Sequence, residues 1–216
     1  MIEWSMAPQG TDEWKAVRRG RITGSRFKDA RDRLKNGDYS KAAKLYAMDV
    51  ARERCGGIAA DVFINNAMRF GIVQEPLARV AYEDATGHLV EEVGFAYTID
   101  GKFGVSVDGL VDADGVVEIK TIVSSDMLFR VVVEADHSDY MDQINGALWL
   151  LGRKWCDLIL WAPDLPGQRP MIQRISRDDN AIDSMVEDLM RFDRLVSDYA
   201  SKLQRHISNV CKEDTP

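Results

Sequence analysis

Residues 89–121 alternate short β-branched segments with turns, and this pattern restricts the chain to folds that contain a hairpin-rich sheet. Five strands are predicted, over 89–93, 95–99, 103–107, 110–111 and 116–121. Asp100-Gly101 and Asp114-Gly115 are dipeptides that favour tight hairpin turns. Because helical patterns lie on both sides of this segment, we predict an α/β fold with a central mixed sheet flanked by helices.

The remaining elements are predicted from apolar periodicity and capping signals. Helices are expected over 11–19, 25–34, 41–54, 65–86, 138–151 and 179–206, and strands over 155–161 and 170–175. Pro76 interrupts the fourth helix, which predicts either a kink near Glu75 or a new helix there. We expect a single domain, residues 1–216, with a basic helical part (about 11–57), a core (about 65–163) and a C-terminal helix (about 179–206).

Composition excludes several classes of protein. The chain has 216 residues, of which 45% are hydrophobic, enough for one substantial core. No apolar run approaches the ~20 residues of a membrane span, and the N-terminus does not resemble a secretion signal. Cys55, Cys156 and Cys211 form no CxxC pair, which disfavours a disulfide scaffold or a zinc ribbon and indicates reduced thiols in a cytoplasmic protein.

The net charge of −7 hides a strong asymmetry. Residues 15–54 contain thirteen Lys or Arg and five acidic residues, so this stretch is +8 and the rest of the chain is −15. Such a block is typical of a surface that binds a polyanion such as DNA. A solvated helix face with local ion pairs is the alternative.

Two carboxylates and a lysine are predicted to meet in the second hairpin. Asp108 ends one strand, and the returning strand carries Glu118 and Lys120 on one face and apolar residues on the other. Charges on an otherwise apolar strand are costly unless they are paired or bind a metal. Carboxylates suit Mg²⁺ or Mn²⁺, and a nearby lysine can stabilise charge on a phosphoryl group. The alternative is an edge strand whose Glu and Lys face solvent.

Other chemistries are poorly supported. A calcium loop centred on Asp112 and Asp114 would need acidic residues where the chain has Leu110 and Thr121. No GxxxxGK or GxGxxG phosphate-binding loop occurs, and no histidine belongs to a recognisable nucleophile motif.

Four blocks occur in order within residues 11–163. They are WKAVRRGRITGS (14–25), FGIVQEPLARVAYE (70–83), SVDGL (106–110) with EIK (118–120), and YMDQINGALW (140–149). Together they resemble the phage lambda exonuclease family of YqaJ-type viral recombinases, a branch of the PD-(D/E)XK nucleases. Val107 and Thr121 depart from that pattern, where the family often has proline and Cys-Pro.

The resemblance implies a role for each matching residue. Glu75, Asp108, Glu118 and the Ile119 carbonyl would hold two Mg²⁺ ions, for which Mn²⁺ can substitute. Lys120 would orient or activate the attacking water. The residues implied to bind the terminal 5′-phosphate or to line the site are Arg18, Ser25, Ser106, Tyr140 and Gln143. Met68 would be a wedge that separates the strands, or else an ordinary core residue.

The resemblance further implies a restriction-endonuclease-like core. It also implies a 5′→3′ exonuclease that degrades one strand of linear double-stranded DNA and leaves 3′ tails for recombination. It implies a homotrimeric ring, a single-strand annealing partner and a phage or prophage origin in a bacterial cytoplasm. Two alternatives stay open: a related PD-(D/E)XK endonuclease or Cas4-like nuclease, and a non-catalytic DNA-binding module. Isolated cysteines argue against the iron–sulfur cluster of a Cas4-like protein.

Overall fold

The computed structural model describes residues 1–58, 65–167 and 169–213. The helices are α1 (Asp12–Arg18), α2 (Phe27–Arg31), α3 (Lys41–Arg54), α4 (Asn66–Thr86), α5 (Ser125–Leu128), α6 (Ser138–Leu151) and α7 (Asp179–Glu213). The strands are β1 (Ile2–Ser5), β2 (Ile22–Thr23), β3 (Phe95–Thr98), β4 (Phe103–Ser106), β5 (Gly109–Val111), β6 (Gly115–Thr121), β7 (Trp155–Trp161) and β8 (Met171–Ser176). The predicted α/β class with mixed sheets and flanking helices is confirmed, and the strands divide between two four-stranded sheets.

The first compact unit comprises residues 1–61, 95–105 and 179–216, within the described ranges. Its sheet has the order β1-β3-β4-β2, in which β1 and β3 are antiparallel and β2 and β4 are parallel. Helices α2 and α3 pack against α7. The buried ring of Phe192 on α7 stacks on Tyr46 of α3 at a centroid distance of 5.4 Å. The apolar stripe predicted for the C-terminal helix therefore faces this core.

The second compact unit comprises residues 62–94 and 106–178, again within the described ranges. Its sheet has the order β5-β6-β7-β8, and the central strands β6 and β7 are parallel. Helix α4 packs on one face of these strands through Ala78 and Tyr82, against a core that includes Val117, Ile119 and Ile159. Helix α6 also contacts β6 and β7.

The predicted and observed elements agree best where periodicity is strong. The bounds of α3, α6 and β7 are those expected. Helix α4 continues through Pro76, so the alternative of a new helix starting near Glu75 is wrong. Residue 76 lacks an N–H for the carbonyl of Ile72, but Ile72 is 59% exposed and water can reach that turn. Within the described residues, no helix has the length and apolarity needed to cross a membrane.

Several short elements of the structure differ from the predicted ones. Strands β1 and β2 and the short α5 were not predicted, and the segment 89–93 forms only an isolated bridge between Glu91 and Leu110. Helix α2 is shorter than expected because a 3₁₀ turn, Gly24–Arg26, occupies its first residues. These elements are short, so their sequences carry little periodicity.

Candidate active site

The hairpin of β5 and β6 builds the centre of the site. Gly109 lies opposite Val117 and Val111 opposite Gly115, so the turn consists of residues 112–114 and not of Asp114-Gly115. Asp112 adopts a left-handed φ of 48°, a conformation that Asp tolerates better than most residues. A Cβ on Gly115 would overlap the ring of Trp155, so only glycine fits at the start of β6.

Asp108 continues the hydrogen-bonding pattern of β5 with its side chain. The Ile119 N–H donates to the Asp108 carboxylate at 2.6 Å. The backbone N–H and C=O of Leu110 bond to Glu91, on the side of β5 away from β6. The backbone groups of its neighbours, Gly109 and Val111, therefore point toward β6. The N–H and C=O of one strand residue point to the same side. The Ile119 carbonyl therefore points to the side of β6 on which Asp108 lies.

Glu118 and Lys120 lie on a central strand, so the alternative of a solvent-facing edge strand is wrong. Glu118 is only 3% exposed, and its Oε1 accepts from Lys120 Nζ at 2.6 Å and from Gln143 Nε2 at 2.6 Å. Lys120 Nζ also donates to Gln143 Oε1 at 3.3 Å. Helix α6 thus presents Gln143 to the same carboxylate that Lys120 pairs with.

Glu75 reaches the cluster from α4, where Arg79 binds it. Arg79 Nη2 lies 2.8 Å from Glu75 Oε1, and Arg79 also pairs with Glu92. The Arg79 side chain is only 11% exposed. Arg79 lies in the 70–83 block, but its pairing with Glu75 was not predicted, although a spacing of four residues on a helix is a typical ion-pair signal.

The electrostatics of the cluster reflect close like charges. Burial and then the neighbouring Glu118 raise the pKa of Asp108 to about 7. Burial and then Asp108 raise the pKa of Glu75 to about 6, which shows that these two carboxyl groups are near each other. Burial opposes the charge of Lys120, but Glu118 and Asp108 outweigh it and raise the lysine pKa. The site therefore concentrates negative charge with few cations to offset it.

These groups fit a divalent cation. Within the described ranges, no three His, Cys, Asp or Glu side chains lie close enough to hold a metal by themselves. Mg²⁺ does not need such a cage, because it keeps several waters and uses one or two carboxylates with other oxygen ligands. Asp108, Glu118 and the Ile119 carbonyl supply hard oxygen donors in one place, and their mutual repulsion favours a bound cation.

Tyr140 and Ser106 lie in the same unit as this cluster. Lys120 Nζ is 5.5 Å from the centroid of the Tyr140 ring. The buried Tyr140 hydroxyl has no hydrogen-bond partner among the described residues. Ser106 ends β4, two residues before Asp108. The structure thus brings Asp108, Glu118, Ile119, Lys120, Tyr140 and Gln143 together, with Glu75 beside Asp108.

Comparisons with known proteins support the resemblance seen in the sequence. The family model of the YqaJ-like viral recombinase domain matches residues 13–154. The chain belongs to this family. No curated protein sequence matches the chain.

The YqaJ-like chain is also similar to solved structures. An alkaline exonuclease (LHK-Exo) from Laribacter hongkongensis shares 30% identity with a TM-score of 0.81, over 93% of this chain and 100% of that chain. The structure of LHK-Exo in complex with dAMP matches at 29% identity, with the same TM-score and coverage. A phage related exonuclease from Haemophilus somnus 129PT has 14% identity, a TM-score of 0.68 and coverage of 87% and 96%, and supports the fold alone.

Arg18 and Ser25, the other predicted phosphate-binding residues, belong to the first unit of this YqaJ-like chain. The Arg18 guanidinium lies over the Trp14 ring at 4.2 Å and the Phe95 ring at 5.1 Å. Burial lowers the pKa of Arg18, which remains a cation at neutral pH. Ser25 is exposed in the 3₁₀ turn before α2.

Met68 lies in the first turn of α4 and is 46% exposed. The Asn65 side chain caps this turn by accepting from the Met68 N–H at 2.8 Å. The alternative that Met68 is an ordinary core residue is therefore wrong. Its role as a wedge stays a prediction.

Proposed function

We propose that this chain is a Mg²⁺-dependent 5′→3′ exonuclease that degrades one strand of linear double-stranded DNA and leaves 3′ single-stranded tails. The observation that carries the proposal is the convergence of Asp108, Glu118, Lys120 and the Ile119 carbonyl beside Glu75. Membership of the YqaJ-like viral recombinase family and similarity to an alkaline exonuclease support this chemistry.

Each side chain has a defined task in this proposal. Asp108, Glu118, Glu75 and the Ile119 carbonyl would hold the metal, with Glu75 exchanging its contact to Arg79 for the cation. When bound, the metal would activate water and offset charge on the phosphate. Gln143 and Lys120 hold the Glu118 carboxylate in place. The Lys120 ammonium adds a positive charge where the phosphate accumulates negative charge during hydrolysis.

The decisive experiment compares DNA substrates. Linear duplex labelled at either end, and nicked and closed circular DNA, are incubated with the protein in Mg²⁺ and in EDTA. We expect the linear duplex alone to be digested, from its 5′ ends, and only with the metal present. Cleavage of closed circles would indicate an endonuclease instead. Binding without cleavage in Mg²⁺ or Mn²⁺ would indicate a DNA-binding module.

We also propose that the protein forms a homotrimer and acts with a single-strand annealing protein in the cytoplasm of a bacterial host. The family resemblance supports this assembly and this setting. Native mass spectrometry at micromolar concentration tests the trimer directly, and a monomer would contradict it.

Arg18→Ala is expected to remove most of the preference for 5′-phosphorylated over 5′-hydroxyl DNA ends. A guanidinium held between Trp14 and Phe95 can offer a planar pair of donors to a phosphate. Charge-assisted bonds of this kind are worth about 1.5–3 kcal/mol, or roughly a 10- to 100-fold preference. Competition between the two ends in one digestion measures it.

Two variants control this experiment. Arg19→Ala removes an exposed neighbouring charge and should leave the preference intact. Arg18→Lys keeps the charge without the planar donors and should retain only part of it. An unchanged preference in Arg18→Ala would place the phosphate contact elsewhere.

Met68→Ala is expected to slow digestion of fully paired ends roughly tenfold more than digestion of frayed ends. Opening a terminal step costs ~1–2 kcal/mol, and an exposed apolar wedge lowers that barrier. Met48→Ala is the matched control, since Met48 is 47% exposed on α3. Equal slowing on both substrates, or a fall in Tm of several degrees, would contradict a wedge.

A further inference from the structure

An open groove lies at the N-terminal end of α4 in the second unit. It has a volume of about 490 Å³ and is lined by Asn66, Ala67, Phe70, Ile122, Val123, Pro163 and Asp164. Most of these side chains are apolar, and Phe70 and Val123 are 41% and 52% exposed. The described lining therefore offers the aromatic face of Phe70 and several aliphatic contacts to a ligand.

The groove adjoins the candidate active site along two elements. Ile122 follows Lys120 by two residues, and the Ile122 N–H donates to the Trp161 carbonyl at 2.7 Å, which extends the pairing of β6 and β7. On α4, Phe70 precedes Glu75 by five residues, about 7.5 Å along the helix axis.

A side-chain hydrogen bond joins α4 to β7 near the groove. The Trp161 indole N–H donates to Gln74 Oε1 at 3.0 Å, and Trp161 is only 4% exposed. Gln74 lies one helical turn beyond Phe70. This bond ties α4 to β7 next to the groove, so its walls need little rearrangement when a ligand enters.

The charge of the groove selects which part of a nucleotide can enter. Among the lining residues that the structure describes, Asp164 alone is ionisable, and its carboxylate repels phosphate. The neutral part of a nucleotide is its base, which stacks on aromatic rings in a sequence-tolerant way. Asn66 and Asp164 place amide and carboxylate groups at the rim, where they can hydrogen-bond to the polar edge of a base.

We propose that this groove seats one unpaired nucleobase of the DNA end, with Phe70 as its stacking surface. The proposal rests on the proposed nuclease function, because the groove adjoins the site at which Asp108 and Glu118 would act on the DNA end. Binding of that base keeps the terminal base pair of the DNA from re-forming. This task is distinct from that of Met68, which would separate the two bases of the pair.

The test measures binding of DNA ends in Ca²⁺ by fluorescence anisotropy, with the dye on the far end of the duplex. An abasic residue replaces each of the first three nucleotides of either strand, one at a time. We expect one position at which the wild-type protein binds roughly tenfold more weakly when the base is missing. Phe70→Ala should bind intact and abasic ends equally, and Phe70→Trp should restore the difference.

Phe129→Ala is the matched control, because Phe129 is 59% exposed in the same unit and does not line the groove. It should keep the dependence on the base. The proposal is overturned if no position shows this dependence, or if Phe70→Ala leaves it unchanged. It is also overturned if Phe70→Ala changes the oligomeric mass of the protein in solution but leaves the dependence of binding on the base unchanged. The groove would then be an interface between copies of the chain.

Failure of this proposal can be told apart from failure of the proposed function. Cleavage of linear DNA in Mg²⁺ is measured separately on the same wild-type protein. Cleavage without base dependence rejects the groove alone. Base-dependent binding without cleavage rejects the nuclease and leaves the groove as a binding site for a DNA end.

Discussion

Lys120→Ala should reduce cleavage of linear DNA by about 100- to 1,000-fold, while binding of DNA ends changes little. The ammonium lies within 2.6 Å of Glu118 in a cluster of carboxylates, and removing one such preorganised group typically has an effect of this size. In the proposed function Lys120 acts on the reacting phosphate, so contacts to the rest of the DNA should remain. Single-turnover cleavage in Mg²⁺ and anisotropy in Ca²⁺ measure the two effects.

Lys154→Ala is the matched control for this prediction. Lys154 pairs with Asp114 at the turn of the same hairpin, and its side chain is 72% exposed. We expect wild-type cleavage from that variant, since exposed pairs contribute little. Equal losses of binding and cleavage in Lys120→Ala would show that the lysine holds DNA or the fold, and not the reacting phosphate.

Asp108→Asn should abolish detectable cleavage and at the same time raise Tm in EDTA by about 2–4 °C. The amide oxygen can still accept from the Ile119 N–H, but a negative charge beside Glu118 and Glu75 is removed. Relief of that repulsion stabilises the metal-free protein. The same change removes a metal ligand, so Mg²⁺ should raise the Tm of the wild type and not that of the variant.

Asp112→Asn provides the control for Asp108→Asn. Asp112 occupies the turn of the same hairpin, and asparagine tolerates its left-handed φ of 48°. We expect neither cleavage nor Mg²⁺ stabilisation to change in that variant. A Tm for Asp108→Asn that still responds to Mg²⁺ would mean that Asp108 does not bind the ion.

The hairpin shows how far local sequence can predict a site. Asp108, the following turn and the alternating strand of Glu118 and Lys120 predicted that these three side chains would meet, and they do. This was possible because a two-strand hairpin is a local structure whose register follows from strand alternation and turn length. The turn was predicted one residue too late, because Gly115 was taken as a turn residue. In the structure this glycine begins β6, where a Cβ would overlap the Trp155 ring.

Partners that come from distant segments could not be predicted in the same way. Gln143 reaches Glu118 from α6, twenty-five residues further along the chain. Motif resemblance singled out Gln143 as a phosphate contact, but its hydrogen bond to Glu118 depends on how α6 packs on the sheet. The exposure of Met68 and Phe70 likewise could not be read from their apolar character, which is equally typical of a core.

The sequence by itself determined the α/β class, the bounds of α3, α6 and β7, and the meeting of Asp108, Glu118 and Lys120. These features depend on periodicity and on contacts within about twelve residues, which local patterns encode. Tertiary structure alone decided the division into two sheets, the buried central position of β6 and the continuation of α4 through Pro76. Those outcomes depend on which distant surfaces pack together, because burial changes the free energy of a strand or a helix more than local propensity does.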